Sequence, residues 1–214
     1  MTALYEKYRP KRLSEVVGQK KAVTKIKHIL KRNAGGRAFW ISGPSGSGKT
    51  TLGRIIAGQV ADEFFVQEYD SAGKVGTETL ADIDRAMHLY STGKGGRAFI
   101  INEAHGLRQW IIQELLGLLE RIPGHVVFIF TTTKKGQAGL FESQIDASPL
   151  LSRCIYIELT KERLVESFAR RCYRIANKEN LNGRPLRDYR KMARECDCNC
   201  RAMLQAIEAG EMLR

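Results

Sequence analysis

No stretch of this chain stays apolar for the roughly 20 residues that a membrane-crossing helix requires. It does not open with the charged-then-apolar leader of a secreted protein, so a soluble intracellular chain, cytoplasmic or nucleoid-associated, is expected. Cysteine is scarce: there are five, an odd number gathered toward the C-terminus, which excludes a secreted disulfide framework. Cys196, Cys198 and Cys200 lack C-x-x-C spacing, and on a helix alternate residues diverge, so they are expected as buried or half-exposed helix residues rather than metal ligands. His28 and His105 have no matching ligand constellation, and neither an internal repeat nor a low-complexity tract is present. Acidic residues are outweighed, 23 Asp and Glu against 35 Lys and Arg; the formal charge of +12 points toward a polyanionic partner such as nucleic acid.

What the chain does have is Gly43-Pro44-Ser45-Gly46-Ser47-Gly48-Lys49-Thr50, which fills every fixed position of the phosphate-loop pattern G-x-x-x-x-G-K-[ST]. Glycines there let successive backbone N–H groups turn toward the β- and γ-phosphates. Lys49 supplies a mobile positive charge, and the Thr50 hydroxyl can ligate Mg²⁺. The apolar run 38–41 reads as a buried strand entering the loop, and Thr51 to Ala57 has the period of a helix leaving it, so the phosphates would lie at a helix N-terminus. ATP and Mg²⁺ are the expected cofactors.

Strand-like and helix-like segments then alternate: strands at 38–41, 63–69, 97–101, 126–130 and 155–159, helices at 20–32, 80–90 and 107–121. Such alternation predicts an α/β fold with a central parallel sheet. After Thr160 the pattern turns helical, at 161–177, 185–195 and 199–212, so residues 1–160 are expected to form the nucleotide-binding domain and 161–214 a small all-helical lid.

Asn102-Glu103-Ala104-His105 follows the third strand, where nucleotide hydrolysis needs acidic groups. A carboxylate at that strand edge can orient and help deprotonate the attacking water, the role expected of Glu103. Asn102 stands where an Asp usually holds the water shell of Mg²⁺. Its amide oxygen can still accept a hydrogen bond, but a formal negative charge is missing, which lowers the expected metal affinity and hydrolysis rate.

With these two centres in place the chain resembles the AAA+ ATPases of DNA clamp loaders, such as bacterial tau/gamma and the small subunits of eukaryotic replication factor C. Tyr5 to Pro10 followed by Val16-Val17-Gly18-Gln19 is similar to the family's N-terminal segment. The resemblance implies that Tyr8, Arg9, Pro10 and Val17 hold the adenine, and that Gly43 through Thr51 hold the phosphates. It places sensor 1 in Phe130-Thr131-Thr132-Thr133, with Thr132 the first choice and Thr131 and Thr133 as alternatives. Ser152-Arg153-Cys154 matches the Ser-Arg-Cys motif, implying that Arg153 enters the site of an adjacent subunit. The stretch 199–205 resembles the lid helix carrying sensor 2, which implies that Arg201 touches the γ-phosphate of its own subunit. Thr50 and Asn102 become the metal-side residues.

Two departures accompany the resemblance. Residues 59–63 are too few for the zinc module of bacterial members, so no structural zinc is expected, and no segment corresponds to the helical collar. The implied function is an ATP-driven subunit of clamp-loader type, an ATPase whose sites lie between AAA+ subunits and which loads a sliding clamp on primed DNA. Arg108 is the first choice for a DNA contact, with Lys134, Lys135, Lys20 and Lys21 weaker choices. The alternatives are another AAA+ DNA-remodelling factor, a helicase loader or branch-migration motor, and a nucleotide-gated scaffold that hydrolyses little because of Asn102.

Overall fold

A computed structural model describes residues 2–133 and 148–213. Five parallel strands form one sheet: β1 (Arg37–Ser42), β2 (Val66–Tyr69), β3 (Arg97–Ile101), β4 (Val126–Thr132) and β5 (Cys154–Glu158), in the spatial order β2-β3-β4-β1-β5. Around it lie α1 (Leu4–Lys7), α2 (Lys20–Leu30), α3 (Lys49–Val60), α4 (Thr77–Met87), α5 (Gln109–Glu120) and α6 (Ser148–Ser152). The chain continues into α7 (Val165–Lys178), α8 (Leu186–Glu195) and α9 (Cys200–Glu208). The expected α/β fold is present, with the helical portion at its C-terminal end.

The strands read as apolar runs because both faces are covered. Phe39 and Ile41 of β1, Ile100 of β3 and Val127 and Ile129 of β4 pack in one core with Ile26 of α2 and Leu52 and Ile56 of α3. Trp40, Phe99, Ile101, Phe128 and Phe130 point the other way, into a second core with α4 and α5. This two-residue alternation continues past the apolar run and decides where the polar residues at the strand ends face. A third core joins α7, α8 and α9 through Phe168, Ala169, Tyr189, Met192, Met203 and Leu204, and includes Leu4.

Several segment limits differ from those read in the sequence. Residues 63–65 form a 3₁₀ turn before β2 rather than its first residues. Helix α4 begins three residues earlier than the expected Leu80. The last helix stops at Glu208, short of Met212. Helix α1 was not expected at all: four residues are too few for a periodic signal, and it is stabilised from a distance, by Leu4 in the third core and by Lys7 Nζ donating to Glu179 at 2.8 Å.

Candidate functional site

Strand β1 lies between β4 and β5 at the point where the sheet reverses its order, and the phosphate loop leaves its C-terminal end. Open parallel sheets place their crevice there. Gly48 caps α3 in the left-handed region at φ 103°, a conformation that favours glycine although a side chain there would meet open space. Gly46, also left-handed at φ 72°, is closed in instead: a methyl group there would lie 2.0 Å from Asn199 Oδ1, so the loop touches the cap of α9. Asn199 accepts from the backbone N–H groups of Arg201 and Ala202 at 3.2 and 3.3 Å, which fixes the start of that helix. Gln19 ties the loop to the end of the sheet by donating to Thr160 O at 2.9 Å and Ser47 O at 3.3 Å.

The cavity above the loop is lined on one side by Ser45 to Thr51 and by Glu103, and on the other by Tyr5, Tyr8, Arg9, Pro10, Val16 and Val17. Helix α7 adds Phe168 and Arg171, and α9 adds Cys200, Arg201 and Leu204. The N-terminal wall thus combines aromatic and apolar side chains with the charged Arg9, and the opposite wall is the loop, suited to a purine at one end and phosphates at the other. Lys49 is buried, and its Nζ donates to Gly43 O at 2.9 Å and Pro44 O at 3.0 Å. Burial pulls its pKa below the ordinary lysine value; the nearby Glu103 carboxylate acts in the opposite direction. Gly43 and Pro44 therefore meet Lys49 through their carbonyls and do not line the cavity.

Strand parity sorts the polar residues beyond β3 and β4. Ile101 pairs with Phe130 in register, so Asn102 comes beside Thr131 on the α3 side of the sheet. Thr131 Oγ1 donates to Asn102 Oδ1 at 2.8 Å, and Thr50 Oγ1 donates to the same atom at 3.2 Å. Thr132 faces the opposite side, with its hydroxyl 3.1 Å from His105 Nδ1, and that nitrogen lies 3.4 Å from Glu103 Oε2. Thr133 is exposed. Of the three threonines, Thr131 reaches Asn102, and Thr132 lies against His105, which stands beside Glu103. Glu103 itself has φ 51°, a left-handed conformation that costs a non-glycine residue on the order of 1 kcal/mol, and it lines the same cavity as the loop.

The Thr50 hydroxyl and Asn102 amide oxygen are hard oxygen donors side by side, a set that fits Mg²⁺. Arg201 borders the cavity, its guanidinium 5.5 Å from the Tyr5 ring centre. Arg153 does not reach the cavity of its own chain; it is exposed, donates to Pro149 O at 3.0 Å and pairs with Glu120. Arg108 is exposed at the cap of α5, and Lys20 and Lys21 are exposed at the start of α2, whereas Lys134 and Lys135 lie outside the described residues.

The three clustered cysteines do not share a helix, which corrects the sequence expectation. Cys196 ends α8, Cys198 lies in the connection with φ 50°, and Cys200 begins α9. Cys200 meets Cys172 of α7: the hydrogen bond between them draws the Cys200 thiol below its usual pKa and pushes Cys172 well above. Phe168, Arg171, Cys200 and Leu204 were not foreseen at the cavity. Their signal was only the apolar period of the lid helices, which does not say which turn faces the loop.

The profile of the family described as ATPase family associated with various cellular activities (AAA) matches residues 39–159. The chain belongs to that family. Among curated proteins, this AAA chain is 32% identical over 157 residues to "DNA polymerase III subunit gamma/tau" of Mycobacterium tuberculosis, covering 62% of this chain and 27% of that protein. It is 27% identical over 235 residues to "DNA polymerase III subunit tau" of Escherichia coli, covering 97% of this chain and 35% of the relative. The chain thus spans about a third of the length of these relatives, and the resemblance to tau/gamma subunits read in the sequence is borne out. Among solved structures, the Thermotoga maritima RuvB Holliday junction branch migration motor superposes with a TM-score of 0.71 at 22% identity, over 94% of this chain and 64% of that one. That likeness concerns the fold. Among the described residues no helix is long and apolar enough to cross a membrane.

Proposed function

We propose that the chain is an ATP-hydrolysing subunit of clamp-loader type, working with other AAA+ subunits at shared sites to load a sliding clamp on primed DNA. One observation carries this reading: the phosphate loop, Glu103, the Tyr8-Arg9-Pro10 segment and Arg201 border a single cavity although they come from four distant parts of the sequence. The similarity to DNA polymerase III tau and gamma/tau subunits supports the replication setting and a cytoplasmic or nucleoid-associated location.

In this reading residues 1–160 bind nucleotide and residues 161–214 act as a lid. The adenine lies against Tyr8, Pro10 and Val17. Backbone N–H groups from Ser45 to Thr51 hold the β- and γ-phosphates, and Lys49 leaves the carbonyls of Gly43 and Pro44 to meet them. Thr50 and Asn102 would hold Mg²⁺, which would supply neutralisation of phosphate charge. Glu103 orients and deprotonates the lytic water, while Thr132 fixes His105 and through it the carboxylate. Arg201 stabilises transition-state charge from within the chain, and Arg153 does so for the neighbouring subunit, where a finger of this kind contributes about 10³-fold or more in rate. Arg108 contacts DNA phosphates.

Asn102 favours a second reading, a nucleotide-gated scaffold with slow hydrolysis. The test is ATP turnover of the chain with its partner AAA+ subunits, measured alone, with primed template, and with primed template plus clamp. Stimulation in the last condition is expected. ATP-dependent partner binding without turnover would support the scaffold, and stimulation by four-way junction DNA alone would support a branch-migration role.

A further inference from the structure

An aspartate at position 102 would present two equivalent oxygens. An asparagine presents an oxygen or an NH₂ group, depending on which way round its amide sits. Only the oxygen suits a cation's water shell, so replacement of the carboxylate creates an orientation problem as well as a loss of charge.

Three side chains surround the Asn102 amide. Thr50 and Thr131 donate to Oδ1 at 3.2 and 2.8 Å, and Nδ2 donates to Glu68 Oε1 at 2.9 Å. Threonine hydroxyls rotate and can accept as readily as donate, so these two would tolerate either orientation. A Glu68 carboxylate only accepts, and it admits the NH₂ group alone. Glu68 is held in place in turn: Arg54 Nε donates to Oε2 at 2.7 Å, and Arg54 lies 3.6 Å from Glu6 on its other side. The placement follows from the sheet. Val66 of β2 packs in the α3-side core, so Glu68 two residues on faces the same way, and the parallel pairing of β2 with β3 brings it beside Asn102.

We infer that Glu68 is a positioning residue that locks the Asn102 amide with its oxygen toward Thr50, so that an asparagine can serve the cation side of the site. This rests on the nucleotide reading above. With Nδ2 engaged by Glu68, the Thr50 hydroxyl spends its proton on Asn102 and keeps its lone pairs for the metal. Arg54 acts one step further out, by fixing Glu68.

The test is equilibrium binding of a fluorescent non-hydrolysable ATP analogue to the full chain across a Mg²⁺ titration, which reads the metal without turnover. Loss of an outer partner of a metal ligand typically weakens metal affinity by about 10-fold or more, so Glu68→Ala should raise the Mg²⁺ midpoint by about that factor. Glu68→Gln keeps an accepting oxygen and should move it by less than about three-fold. In an Asn102→Asp background no orientation remains to be fixed, and Glu68→Ala should leave the midpoint unchanged or lower it, because a repelling carboxylate is removed. An unmoved midpoint in Glu68→Ala, or an equal rise in both backgrounds, overturns the proposal. Should Glu68→Ala not fold, Arg54→Met should raise the midpoint about two-fold, and no rise would overturn the proposal equally. Analogue binding that ignores Lys49→Ala would instead overturn the nucleotide reading itself, on which this one depends.

Discussion

The phosphate loop and the end of β3 stand side by side at one cavity, and they are held in different ways. The loop is braced largely from within: Lys49 donates to two carbonyls of its own loop and Ser47 Oγ to Pro44 O, with Gln19 on Ser47 O a tie from outside. The end of β3 depends on other elements: Asn102 is held by β2, α3 and β4, and Glu103 stands in a left-handed turn beside His105. A local motif of eight residues carries its geometry with it. A site assembled from neighbouring strands carries it only in the folded sheet. The loop should therefore govern binding and the β3 end turnover.

The largest effect separates them outright. Lys49→Ala should abolish detectable ATP binding while circular dichroism and thermal unfolding stay close to those of the parent, because the removed amine donates to carbonyls of its own loop and joins no other element among the described residues. Binding at the parent affinity would erase the distinction. Arg153→Ala should next lower turnover by about 10³-fold with ATP affinity little changed, since the residue does not line its own chain's cavity. Mixing it with Lys49→Ala chains should restore part of the rate; mixed oligomers that form without recovery would count against action across an interface.

Glu103→Gln should reduce turnover by about 10²-fold or more and leave ATP bound, the counterpart of the Lys49 result on the β3 side. A matching loss of affinity would mean that both regions serve binding. The smallest effect sharpens the loop's part. Burial lowers the Lys49 pKa from 10.5, so between that lowered value and 10.5 the folded chain releases a proton that an exposed lysine would keep. ATP affinity should fall with rising pH through that window, by up to about ten-fold per unit as the charged fraction shrinks. Folding stability should gain over the same window, because the unfolded chain still binds the proton. A Lys49→Arg chain should show neither slope; equal slopes in both would assign the titration elsewhere.

Much of this was legible before any fold was known. The loop was complete in sequence, and strands buried on both faces announced themselves as apolar runs. Glu103 was found because it follows such a run by two positions. Parity along β4 would also have paired Thr131 with Asn102, since Ile129 and Thr131 face α3 together, yet that inference needs β3 and β4 to be neighbours in a known register. Glu68 could not be connected to Asn102 for the same reason: 34 residues separate them, and only the adjacency of β2 and β3 brings them to 2.9 Å. Helix α1 and the cavity-facing turns of α7 and α9 were hidden because their positions are set by packing in the third core, not by any local pattern.

Arg171 of α7 donates to Tyr8 O at 2.6 Å and Glu15 O at 3.0 Å, and Leu4 shares a core with α7, α8 and α9. The opening residues of the polypeptide are thereby upholstered onto its closing helices. A swing of those helices would carry the Tyr5-to-Val17 wall and Arg201 in a single stroke, like the two jaws of a clasp on one spring. On the nucleotide reading proposed above, a departing nucleotide would be let go at its purine and at its terminal phosphate together, and exchange would be timed by one movement rather than by two independent grips.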